Sequence, residues 1–114
     1  MEVKELALSI GKLLDEKLAK DIELIDIGEK SGFADFLIIC SAGSQRQVKA
    51  LADFVEDEFA KNDVEIKNIE GLNTLDWVLM DYGDIIVNIF TEDTRAKYSL
   101  EKIWGDCEAL RMGE

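Results

Sequence analysis

Apolar positions along the chain change period several times, and each change marks an element. Val3, Leu6, Ala7, Ile10, Leu13, Leu14 and Leu18 return at steps of three and four, the spacing of one helical face, and predict a helix to about Ala19. Ile22 to Gly28 (IELIDIG) is rich in β-branched residues and ends on glycine, which predicts a strand before a Ser31-Gly32 turn. Phe36 to Cys40 is an unbroken apolar run too short for an independent helix, the pattern of a strand covered on both faces. Ser44 and Gln47 then have capping-box spacing, and Val48, Leu51, Ala52, Val55 and Phe59 form the inward stripe of a second helix closed by Asn62-Asp63. EIKNIEG reads as a shorter, more polar strand near an edge. Trp77 to Met80 and Ile85 to Phe90 are strand-like runs joined by a short connection containing Gly83, a hairpin signal. Thr91 can cap a last helix, with Glu92 and Asp93 in its first turn and Leu100, Ile103 and Trp104 as its apolar face.

The order is helix, two strands, helix, three strands, helix, which predicts an α/β domain with a mixed sheet of about five strands and helices packed on it. With 114 residues and no linker or repeat, residues 1–114 read as a single domain, with a short C-terminal tail from about 106.

Charge narrows the partners. Thirteen Lys and Arg against 25 Asp and Glu give a net charge of −12, which repels phosphate backbones and excludes free nucleic acid as the expected partner. A basic protein surface would be attracted instead. The absence of histidine removes the commonest general base near neutral pH and the commonest metal ligand. No metal or cofactor site is expected. Cys40 and Cys107 lie far apart and read as reduced thiols of a cytoplasmic protein. The charged N-terminus lacks the apolar core of a signal peptide, and no stretch approaches the length of a membrane span.

Three candidates for chemistry emerge. Asp81 and Asp84 flank Tyr82-Gly83 and read as turn residues, since a catalytic pair would need two carboxylates converging on one substrate. SAGSQRQ places Gly43 and Ser44 where a strand meets a helix, with Arg46 and Lys49 nearby. It lacks the glycine spacing of a phosphate-binding loop and reads first as a helix cap. The aromatics Trp77, Tyr82, Tyr98 and Trp104, with Arg95, are residue types that dominate protein interfaces and also fill small cores. Trp104 is expected in the core; Trp77 and Tyr82 border a loop and a turn, so at least one of them is a surface candidate.

Taken in order, ADFLIICSAGSQRQVKALAD, IEG, WVLMDYGDIIVNIF and the R-x-x-Y-x-L-E-x-I-W run from Arg95 to Trp104 resemble the ribosomal silencing factor family, also called Iojap. The resemblance covers nearly the whole chain and implies a fold related to nucleotidyltransferases, with no enzymatic activity established for the family. It further implies a translation repressor that binds the large ribosomal subunit through ribosomal protein L-fourteen, hinders joining of the small subunit, and commonly forms homodimers. Motif by motif, it nominates Trp77, Asp81, Tyr82, Gly83 and Asp84 around the hairpin, and Arg95, Tyr98, Glu101 and Trp104 in the C-terminal motif. Asn88 is nominated as a partner contact as well; it stands where the family usually has His, keeping a hydrogen-bonding group without its pH dependence. The competing reading is a nucleotidyltransferase-like enzyme or nucleotide-binding protein. Its expected metal-binding aspartates lie one residue apart on a strand, whereas Asp81 and Asp84 are three apart across a turn.

Overall fold

In a computed structural model the described residues are 2–112, without the side chains of Leu100 and Glu101. The element order is α1 (Val3–Glu16), β1 (Lys20–Asp26), β2 (Phe36–Ala42), α2 (Gln45–Lys61), β3 (Asn68–Glu70), β4 (Trp77–Asp81), β5 (Ile85–Thr91), α3 (Glu92–Tyr98), a 3-10 helix (Leu100–Trp104) and β6 (Ala109–Met112). The six strands form one mixed sheet in the order β3-β4-β5-β2-β1-β6. Among the described residues only the central pair, β2 with β5, runs parallel.

Alternation along the strands assigns the two faces. Ile22 and Leu24, Ile38 and Cys40, Val78 and Met80, and Ile85, Val87 and Ile89 point to the face covered by α1 and α2, where they join Leu6, Ile10, Leu14, Val48, Leu51, Val55 and Phe59. Ile25, Leu37, Ile39 and Phe90 point the other way, into a smaller cluster flanked by Trp77, Ile86 and Trp104. The central position of β2 between two covered faces accounts for its continuous apolar run.

Two expectations change at the C-terminus. The last helix is not continuous: α3 ends at Tyr98, Ser99 adopts a left-handed conformation (φ 39°), and the chain resumes as a 3-10 turn. That break shifts the phase of the apolar face, so Ile103 is 67% exposed while Trp104 is half-buried and meets Phe33 edge to face at 6.3 Å. The expectation that Ile103 faces inward is therefore corrected, and the Leu100 side chain lies outside the described residues. The tail from about 106 supplies β6, which pairs antiparallel with β1 and makes the sixth strand. Its apolar alternation is too short and too polar to announce a strand in isolation.

Candidate functional site

The nominated residues separate into two groups at opposite ends of the β4–β5 hairpin. Trp77 opens β4 opposite Phe90, and Asp81 closes it opposite Ile86. Four residue steps at the usual strand rise put about 13 Å between them.

At the turn end, the Asp81 carboxylate accepts the Gly83 N–H at 2.8 Å, and the Tyr82 N–H donates to the Ile85 carbonyl at 3.0 Å. The carboxylate is used to close the turn. Gly83 sits at φ +90°, the region that favours glycine. The Asp84 carbonyl receives the N–H groups of both Asp35 and Phe36, which ties the turn to the start of β2, while its side chain is exposed. Tyr82 is the exception to the surface expectation. It is 6% exposed, its ring stacked on Phe59 with centroids 3.6 Å apart, because its place on the α2 side of the hairpin turns it into the larger core. Burial, and secondarily the negative charge of Glu56, push its phenol up to about 12.

At the other end Trp77 lies between Phe90 (4.8 Å) and Tyr98 (5.1 Å), half-buried, with Tyr98 57% exposed. Its indole N–H donates to Asn88 Oδ1 at 2.9 Å. Indole nitrogen only donates, so this bond fixes which way the Asn88 amide points. Reading Asn88 as a partner contact is corrected: its residue is 1% exposed, and its amide nitrogen has no hydrogen-bond partner among the described residues. A cleft of about 360 Å³ opens beside the aromatic pair, lined by Thr74, Asp76, Trp77, Thr94, Lys97 and Tyr98. Gln45 braces its far wall by donating to the Thr74 carbonyl and to Asp76 Oδ1, both at 3.0 Å.

Arg95 stands behind this cleft and not on its surface. Only 9% exposed, it donates to Glu23 Oε2 at 2.9 Å, to Ser41 Oγ at 3.0 Å and to the Asp21 carbonyl. The last acceptor is presented by a bulge in β1, where Asp21 takes φ 50°. Reading Arg95 as a surface contact is thus corrected: it anchors α3 to the sheet, so it positions Tyr98 without itself being reachable. Glu101 belongs to the same motif, but its side chain lies outside the described residues.

Between the two ends, Leu79 and Ile86 sit half-buried on the face that α3 leaves uncovered. They were missed as candidates because each occupies a strand position that reads as core. Alternation alone places them with Trp77, Asn88 and Asp81 on one face, but only the short length of α3 reveals that the face is partly open.

The Gly43-Ser44 junction is occupied by its own helix. Ser44 Oγ accepts the Gln47 N–H, and Gln47 Oε1 accepts the Gly43 N–H at 2.8 Å, as a helix cap requires. Among the described residues no group of three His, Cys, Asp or Glu could hold a metal ion, and no helix is long and apolar enough to cross a membrane.

The family model described as "Ribosomal silencing factor during starvation" matches residues 1–114. The ribosomal silencing factor of Bacillus subtilis is 38% identical over 106 residues, covering 93% of this chain and 90% of that protein. Among solved structures, one from Chromobacterium violaceum superposes with a TM-score of 0.88 at 30% identity, covering 100% of this chain and 95% of the other. One from Bacillus halodurans gives 0.75 at 35% identity, covering 90% and 92%. With the whole length matched and the same fold in its relatives, the chain belongs to the ribosomal silencing factor family.

Proposed function

We propose that the protein is a cytoplasmic translation repressor that binds the large ribosomal subunit through ribosomal protein L-fourteen and blocks joining of the small subunit by occupying its space. The observation that carries this reading is the partly open sheet face, where Trp77 and Tyr98 present aromatic surface, Leu79 and Ile86 extend it, and Asp81 and Asp84 close its far end. Aromatic anchors with a polar rim are what a protein partner requires. A net charge of −12 steers the molecule to a basic protein and away from surrounding RNA.

No covalent step is needed. A factor that binds only free large subunits favours separation by RT ln(1 + [L]/Kd), about 2.7 kcal/mol when free factor stands at a hundred times its Kd, which lowers joining about a hundredfold. The nucleotidyltransferase-like alternative draws no support from the two places that motivated it, since Asp81 closes a turn and the Gly43 N–H is bonded within its own helix cap. A homodimer belongs to the same family-based reading.

The test is co-sedimentation with separated subunits, followed by addition of small subunits to the bound large ones. Selective large-subunit binding with loss of rejoining is expected, and Trp77→Ala or Tyr98→Ala should weaken it while the fold survives. Equal binding to both subunits, or none at moderate salt, would refute the proposal. Retained affinity in both variants would remove the aromatic face from the site.

A further inference from the structure

A second concavity lies on the opposite side of the sheet, where the C-terminal turn of α2 meets the segment leading into β3. It is an open groove of about 620 Å³. Its base is apolar, made by Ala60, Val64 and Ile66, and its polar groups are the carboxylates of Glu56, Asp63 and Glu65. Tyr82 lines it as well. The Tyr82 side chain is more than nine-tenths buried, and its hydroxyl has no hydrogen-bond partner among the described residues.

A buried hydroxyl left without a partner is costly, and native proteins rarely leave one so. An acidic rim alone would signify only a solvated surface. The combination is more specific: fixed negative charge, apolar surface long enough for methylenes, and an unsatisfied hydroxyl on the lining Tyr82. Burial together with Glu56 holds the phenol protonated well above neutral pH, so its oxygen remains available as a neutral acceptor.

We propose that this groove is a docking site for an arginine side chain carried by a basic protein segment. The stem lies along Ala60, Val64 and Ile66, and the guanidinium meets Glu56 or Glu65 while one of its N–H groups donates to the Tyr82 hydroxyl. Arginine fits better than a compact ammonium because its five donors in a planar fork can serve a carboxylate and a hydroxyl together. Partner chemistry follows from charge complementarity with the three carboxylates and with a chain of net charge −12. The site is independent of the ribosomal reading and faces away from the Trp77–Tyr98 cleft, so one molecule could hold a different partner at each.

The test is titration of the ¹⁵N-labelled full chain with N-acetyl-arginine amide, with citrulline amide as the uncharged isostere and spermidine as the unshaped cation. Saturable shifts confined to the amides around Ala60, Val64, Ile66 and Tyr82 are expected with the arginine probe. Losing a hydrogen bond to a charged group corresponds to about tenfold in affinity, the loss expected for Glu56→Gln/Glu65→Gln. Tyr82→Phe should also weaken binding while leaving the rest of the spectrum in place. The proposal is overturned by shifts spread over the whole acidic surface, by equal responses to citrulline amide or spermidine, or by unchanged affinity in Tyr82→Phe. Unchanged ribosome binding in the Glu56→Gln/Glu65→Gln variant would show that the two sites are separate.

Discussion

Arg95→Met removes the guanidinium that holds α3 against the sheet, and its cost can be worked from the surroundings. The ion pair with Glu23 is enclosed, its side chains 10% and 12% exposed. Removing one partner of a buried pair leaves the other charge uncompensated and costs about 3–5 kcal/mol. Because Glu23 keeps a little solvent, the lower end, about 3 kcal/mol, is the expected loss. For 114 residues, an unfolding entropy of about 2.1 cal/mol/K each gives about 0.24 kcal/mol/K, so Tm should fall by about 12 °C in a calorimetric scan at neutral pH. Arg95→Met/Glu23→Leu should recover part of that loss by removing the stranded carboxylate. Recovery stays incomplete because the Ser41 hydroxyl and Asp21 carbonyl lose the same donor. A loss below about 1 kcal/mol in the single variant, or a double variant carrying the sum of both losses, would refute the anchoring role.

Other outcomes follow from single features. Trp77→Phe keeps the ring stack but removes the N–H from Asn88, leaving a buried amide with neither end bonded; it should cost about 1–3 kcal/mol in urea unfolding, and Asn88→Leu should cost less in that background than in the native chain. Gly71 (φ +93°) and Gly83 (φ +90°) both disfavour a side chain, but a Cβ at Gly71 would lie 1.9 Å from the Trp77 carbonyl oxygen, whereas at Gly83 it would meet only the flexible end of Lys67 at 3.0 Å. Gly71→Ala should therefore destabilise far more than Gly83→Ala, and its near-ultraviolet dichroism should report a displaced Trp77. Burial raises the Cys40 thiol from 9.0 and the Tyr82 phenol from 10.0, each to about 12. Above those starting values the unfolded chain releases protons that the folded chain keeps, so stability is full below about pH 9 and declines from there to about pH 12. Tyr82→Phe should flatten the upper part of that decline, and an unaltered profile would contradict the phenol's part in it.

Local pattern carried most of the architecture because the strongest signals are ones tertiary structure reinforces. The stripe from Val48 to Phe59 became the buried face of α2, and the unbroken run from Phe36 became the central strand. What stayed hidden depends on contacts distant in sequence. β6 exists because β1 offers it an edge, and Arg95 is buried because a bulge 74 residues earlier turns a carbonyl toward it. Tyr82 illustrates the limit for sites: beside a glycine in a turn it has the composition of a contact residue, yet the face it takes is set by hairpin register, which sends it onto Phe59. Asn88 shows the converse, a polar residue in an apolar strand whose reason is the indole eleven residues away.

The two faces of the sheet are built to different degrees of completeness, and that difference is what makes one of them available. Two helices of 14 and 17 residues close the first face over most of its apolar strand positions. The second has a seven-residue helix, too short to hold its own shape in water. Its order is supplied from outside, by the Thr91 hydroxyl receiving the Thr94 N–H and by Arg95 reaching through to β1 and β2. An unanchored helix would let Tyr98 swing away from Trp77, which it meets at 5.1 Å. Holding a short helix by a buried cation keeps the aromatic pair rigid before any partner arrives, and a prearranged pair loses less entropy on binding. In the proposed function, the stability of the ion pair and the affinity of the open face are therefore coupled through α3, with Arg95 acting while itself buried.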